Sequence, residues 1–193
     1  MEPLPRDWYR RDSRVVGPEL LGKVLVHGAR AGRIVEVEAY AGHEDPGSHA
    51  FRGPTPRNAT MFGPPGHLYV YLSYGMHFCG NVVCDEDGVG TAVLLRALAP
   101  LTGVEEMWAA RPRARVERDL CSGPGKLCQA LGIDRTFDGA DLVTGDRGVL
   151  VCDDGTPPPS PVGVSTRIGL SAGVDAPWRW YWPGDPNVST RPR

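Results

Sequence analysis

Two carboxylates and a phenol share one side of a single extended segment. In Gly32-Arg33-Ile34-Val35-Glu36-Val37-Glu38-Ala39-Tyr40 polar and apolar residues alternate. A strand therefore places Glu36, Glu38 and Tyr40 on one face and Val35, Val37 and Ala39 on the other. Carboxylates beside aromatic rings can act as general bases, and one such strand face can form a catalytic wall. The spacing does not choose between Glu36 and Glu38, and a solvent-facing strand with ordinary charges fits the same pattern. Further on, Arg96 interrupts the apolar run Ala92–Leu98, as Asn81 interrupts another. A buried arginine needs a partner, and a carboxylate of the Glu36–Tyr40 strand is the candidate, in a plain ion pair or a catalytic one.

His43, Glu44, Asp45 and His49 form a second set, of metal-ligand type. They lie on a Pro/Gly-rich loop without helical spacing. No H-E-x-x-H is present and no P-C-x-x-C follows, so no metal is expected. The third set is Gly66–Asn81, which reads as a β-hairpin. Tyr69, Tyr71 and Ser73 fall on one face of its first strand, and Val70, Leu72 and Tyr74 on the other. A turn over Tyr74-Gly75-Met76-His77 puts glycine at the first central position, the requirement of type II′. Soluble hairpins usually end in Asn, Asp or Ser. Tyr and Met at the tip suggest either insertion, for instance between base steps of nucleic acid, or burial under another element.

The elements that must position these residues follow from periodicity and punctuation. Glu19–Gly22 reads as the end of a short helix stopped by glycine. Lys23–His27, Arg33–Tyr40 and Gly90–Ala97 read as strands, and Ala41–Pro56 as an ordered loop. Thr102–Ala110 suits a helix, with Thr102 as cap and Glu105 at capping-box spacing. Ser122–Leu131 suits another, opened by Pro124 and closed at Gly132. Asp153–Pro161 is a loop, and Val162–Ile168 and Arg179–Trp182 are late strands. Strands outnumber helices without regular alternation, which favours an α+β fold over a doubly wound sheet.

The 193 residues suit one domain, 1–193, with a sizeable core. No apolar run is long enough for a membrane span, and the first residues lack a secretory pattern. The expected location is cytoplasmic, nucleoid-associated if the source is bacterial. Five cysteines, an odd count without C-x-x-C, argue for reduced thiols. The net charge of −2 does not advertise a nucleic-acid binder. Its arginines nevertheless cluster, at 6–14 and at 111–118, so a local basic face is possible.

In order along the chain, Glu36–Tyr40, His49, Thr55-Pro56-Arg57-Asn58, Met61-Phe62, Leu68–Tyr71, Tyr74-Gly75-Met76, Asn81, Leu94–Leu98, Leu120–Pro124 and Lys126–Leu131 resemble the 3-methyladenine (alkyladenine) DNA glycosylase family. The likeness runs from about Leu20 to about Val188. It implies one mixed domain, with a mainly antiparallel curved sheet and a protruding β-hairpin, that works from the minor groove of double-stranded DNA. It further implies that Tyr74 fills the gap left by a flipped nucleotide. The damaged purine would stack between Tyr40 and the pair His49 and Tyr71, with Asn81 excluding guanine. Glu38 would deprotonate the attacking water and Arg96 would help to place it. Thr55, Arg57, Met76, His77 and Lys126 would contact DNA.

The expected activity is hydrolytic release of alkylated or deaminated purines by a monomer without cofactor. No lysine accompanies Glu38 in the motif, in keeping with a water nucleophile rather than a Schiff base. His77 stands where an aromatic is common in the family, and the chain lacks the long basic N-terminal extension of larger members. Two other readings are a catalytically silent damaged-DNA-binding module and a small-molecule metallohydrolase using His43, Glu44, Asp45 and His49.

Overall fold

The computed structural model describes residues 1–189, and positions 190–193 of the expected domain lie outside the described residues. Ten strands join one curled sheet: β1 Glu2–Pro3, β2 Val24–His27, β3 Arg30–Ala41, β4 His67–Ser73, β5 His77–Cys84, β6 Thr91–Thr102, β7 Ala140–Asp141, β8 Val149–Asp153, β9 Gly163–Ser165 and β10 Arg179–Tyr181. All their pairings are antiparallel, in the order β1-β8-β2-β3-β6-β5-β4-β7, with β10 added to β3 and β9 to β10. Among the described residues four α-helices complete the α+β fold: α1 Arg6–Tyr9, α2 Ser13–Leu20, α3 Val104–Ala110 and α4 Pro124–Leu131. No helix among the described residues is long and apolar enough to cross a membrane.

The core lies between the sheet and α2 and α4. It gathers Ile34 and Val37 of β3, Leu95 and Leu98 of β6, Leu20 of α2 and Leu127 and Leu131 of α4. The five cysteines are free and buried.

β3 is the central strand, and its alternation is not strict. Ile34 pairs with Leu98 and Glu36 with Ala97, then Val37 with Leu95, so the register shifts on both sides of Glu36. Ile34 and Val37, three apart, thus both enter the core, while Glu36 and Glu38 keep to the other face. Arg96 lies opposite this irregularity. Such bulges re-aim side chains beside functional sites.

Three expected elements differ. β6 continues to Thr102, whose hydroxyl donates to the Ala29 carbonyl; α3 starts at Val104 behind a left-handed Gly103 with no side-chain cap. The capping box is therefore absent. The late strand expected at Val162–Ile168 stops at Ser165, because Arg167 turns inward and the Ile168 amide leaves the ladder for Glu38. The hairpin turn spans Ser73–Met76, closed by the Met76 N–H on the Ser73 carbonyl at 3.0 Å. Tyr74 and Gly75 are its central residues, with φ of 49° and 68°. Positive φ at both marks type I′, not II′. A tyrosine in that region costs roughly 1–2 kcal/mol, strain of the kind that collects at working sites.

Candidate active site

One cavity of about 540 Å³ opens beside the hairpin, within the range that accommodates a nucleobase-sized ligand. Its walls come from six parts of the chain. β3 supplies Tyr40; the loop after it supplies Gly47 and His49, and Arg57 and Met61 follow. The hairpin supplies Tyr69, Tyr71, Ser73 and Tyr74 from β4 and its turn, and Cys79 and Asn81 from β5. β6 supplies Leu94 and Arg96, α4 its first residue Pro124, and a late loop Ile168, Gly169 and Leu170.

Glu38 stands directly behind this wall and is completely buried. Its Oε1 accepts from the Ile168 N–H at 2.7 Å and faces Arg96 Nη1 at 3.3 Å; its Oε2 accepts from the Tyr40 hydroxyl at 3.0 Å. All three partners line the cavity. A carboxylate has about four acceptor sites, so three donors leave room for one more. Glu36, also buried, has no such vacancy on Oε1: Arg96 Nε at 3.0 Å, Arg179 Nε at 2.7 Å and the Ser189 hydroxyl at 2.9 Å all donate to it. Its Oε2 accepts from the Ser189 N–H. Arg96 thus bridges the two carboxylates, the partnership expected from its place in an apolar run. Burial opposes its charge, but Glu38 and Glu36 more than offset that and hold its pKa above the ordinary value.

The rings form a second wall. Tyr69 and Tyr71 stack with centroids 5.6 Å apart, and His49 meets Tyr71 edge-on at 4.6 Å. His49 Nδ1 lies 3.2 Å from the Tyr69 hydroxyl. Burial and then the Arg57 charge lower the His49 pKa, so the ring is neutral at pH 7. Burial raises the phenols: Tyr69 to about 12, and Tyr40 and Tyr71 further, Tyr40 also through the Glu38 charge and Tyr71 through Cys79. Asn81 is buried and its Nδ2 donates to the Tyr69 carbonyl.

The remaining residues singled out in the sequence lie around this cavity. Tyr74 and Met76 are exposed at the hairpin tip, at 84% and 71%. Arg57 reaches the Leu72 carbonyl at 3.3 Å. Thr55 is exposed and tied by its N–H and hydroxyl to Asn58 Oδ1. Met76 and His77 line a separate hollow of about 760 Å³ on the other flank of the hairpin, with Arg111, Arg113 and Asp134. His77 packs so closely on α4 that a Cβ at Gly125 would meet it at 2.8 Å. Lys126 is directed at Ser122 and Asp119 and lines neither cavity. The metal-type set does not assemble: Asp45 is buried against Arg167, His49 faces Tyr69, and His43 and Glu44 are exposed.

Sequence reasoning missed several contributors. Ile168, Gly169 and Leu170 lie about 130 positions from Glu38, and no local spacing links them. Cys79 was legible, because strand alternation places it on the same face as Asn81. Asn58 was noticed only as part of a motif; its Nδ2 donates to the His49 and Gly53 carbonyls and shapes the loop that carries His49.

Comparison with known proteins identifies the family. Residues 7–186 match the family model described as Methylpurine-DNA glycosylase (MPG). A protein of Burkholderia lata is 56% identical over 187 residues, covering 96% of this chain and 90% of its own length. One of Rubrobacter xylanophilus is 50% identical over 179 residues, covering 91% and 90%, and one of Streptomyces avermitilis 47% over 193, covering 97% and 91%. All three carry the name "Putative 3-methyladenine DNA glycosylase". With Glu38, Arg96 and the ring-lined cavity in one fold, and a match along nearly its whole length, the chain belongs to the methylpurine-DNA glycosylase family.

Proposed function

We propose that the protein is a monofunctional N-glycosylase that flips alkylated or deaminated purines out of double-stranded DNA and releases them by hydrolysis. The observation that carries this reading is one cavity where a buried Glu38–Arg96 pair meets Tyr40, Tyr71, His49 and Asn81, beside an exposed Tyr74. Tyr74 fills the gap in the duplex, and the extruded base stacks between Tyr40 and the Tyr71–His49 wall. Neutral, electron-rich rings suit a purine made cationic by alkylation. Asn81 crowds the exocyclic amine of guanine.

An alkylated purine leaves readily because it already carries positive charge. What remains is to activate water and to stabilise the developing oxocarbenium ion, and the Glu38 carboxylate serves both needs. Arg96 orients the water beside it. The chain has two lysines, Lys23 and Lys126. Lys23 is paired with Asp153 at 2.5 Å and neither lines the cavity, which supports a water nucleophile over a Schiff base. The protein acts as a monomer.

The DNA backbone runs along both flanks of the hairpin, past Arg57 on one side and Arg111 and Arg113 on the other. Arg113→Glu is expected to weaken binding to undamaged and damaged duplexes alike and to reduce the slope of log affinity against log salt by about 1. Titration of a labelled duplex at several salt concentrations checks this; an unchanged slope contradicts it.

The reading itself is tested with duplexes that each carry one lesion (hypoxanthine, ethenoadenine, 3-methyladenine or 7-methylguanine) in the presence of EDTA. Release of at least one free base, with the strand left intact, is expected. Tight lesion binding without release from any of them would mean a silent binding module. Release that EDTA abolishes would mean a metalloenzyme.

A further inference from the structure

Asp45 and Arg167 lie 122 positions apart and form an ion pair with both side chains closed to solvent. Arg167 Nη2 donates to Asp45 Oδ1 at 2.7 Å, and Nη1 contacts Oδ2. Asp45 also accepts the N–H groups of Ala41 at 3.2 Å and Gly47 at 2.9 Å. Arg167 also donates to the carbonyls of Ala39 in β3 and Gly173 in the late loop, both at 3.0 Å. Its guanidinium lies 4.8 Å from the Tyr40 ring centroid and 5.0 Å from that of Trp178. There is no slack: a Cβ at Gly47 or Gly173 would come within 3.0 Å of Nη2.

Desolvating two charges this completely is rarely repaid in stability, and apolar residues of similar volume often do as well or better. A geometric role accounts for the pair. Glu38 has three donors, of which Arg96 comes from β6. The other two, the Ile168 amide and the Tyr40 hydroxyl, are both fixed by Arg167: Ile168 is its neighbour in the chain, and Tyr40 rests on its guanidinium. The same two residues wall the cavity.

We infer that Asp45 and Arg167 are positioning residues for base excision, a clamp that fixes the Tyr40 ring and the Ile168 amide against Glu38. This rests on the reading of Glu38 as the group that activates water. The bidentate fork also binds the loops at 41–47 and 167–173 to β3, so the wall facing the flipped base is rigid before DNA arrives. Misplacement of reacting groups by about 1 Å can cost on the order of 10²-fold in rate.

The test compares the wild-type protein with the double variant Asp45→Asn/Arg167→Met and with Arg167→Lys, which keeps the charge but loses the planar fork. Single-turnover release is followed on one lesion duplex that the wild type processes, with enzyme saturating, beside thermal melting and duplex affinity. The double variant is expected to fold, to bind the duplex within about fivefold of wild type, and to release base on the order of 10²-fold more slowly, the loss appearing in the rate constant. Arg167→Lys should lie between the two. A purely structural role would lower the amplitude, that is, the competent fraction, and leave the rate constant unchanged; that result overturns the inference. If the double variant does not fold, Arg167→Lys decides, and a rate constant within about twofold of wild type overturns the clamp. No release by wild type from any lesion duplex would overturn the glycosylase reading, and the clamp with it.

Discussion

Glu38→Gln is expected to reduce base release by roughly 10³-fold or more while the protein stays folded and still binds lesion duplexes. A positioned general base contributes on the order of 10²–10⁴-fold, and loss of a negative charge beside a developing cation adds to that, the more so because Glu38 is buried. The amide is nearly isosteric, and Arg96 keeps its second partner, Glu36, at 3.0 Å. The variant therefore separates chemistry from recognition. Its affinity for a lesion duplex should remain within about threefold of wild type, because the stacking rings and Asn81 are untouched. Release at the wild-type rate would remove Glu38 from the catalytic role. Loss of affinity and release in equal measure would make it a binding residue.

Glu36→Gln should act through stability. Glu36 accepts from two arginines and, through Ser189, from the C-terminal segment. The amide has only one oxygen, so an NH₂ group is turned towards donors, and Arg96 and Arg179 lose a shared counter-charge. Breaking a buried pair by removing one partner costs about 3–5 kcal/mol. For a domain of this size that lowers Tm by on the order of 10 °C. Melting curves of the two variants give the contrast: Glu36→Gln falls well below wild type, Glu38→Gln much less. A Glu36→Gln protein with wild-type Tm would show that the network does not hold the fold together. One with normal stability and no release would exchange the roles given to the two carboxylates.

Much of the architecture was legible because it rests on local rules. β2, the core of β3, the hairpin and α4 follow from period-2 alternation, a glycine in the turn and a proline–glycine frame around a helix. The candidate site's residues were legible as unusual types in regular elements: Glu36 and Glu38 on one face of an alternating strand, Arg96 in an apolar run, Tyr69 and Tyr71 two apart in β4. What escaped depends on contacts between distant segments. The shift around Glu36 arises from pairing with β6, and periodicity within β3 alone cannot show it. The alternation left Glu36 and Glu38 equivalent. They differ because Arg179 and Ser189, more than 140 positions on, saturate one and leave the other an open acceptor site. Asp45 looked like a metal ligand because its partner Arg167 lies in another part of the chain. The turn type was misjudged because a tyrosine rarely takes positive φ, and here Tyr74 does.

The proposed release of methylated purines is tested most directly on double-stranded DNA treated with a methylating agent, incubated with the wild-type protein in EDTA and analysed for free bases. The account predicts 3-methyladenine or 7-methylguanine in solution at a rate far above spontaneous loss, intact abasic strands, and no enzyme trapped on DNA by borohydride. Free-base levels equal to the protein-free control, or a borohydride-trapped covalent complex, would contradict it.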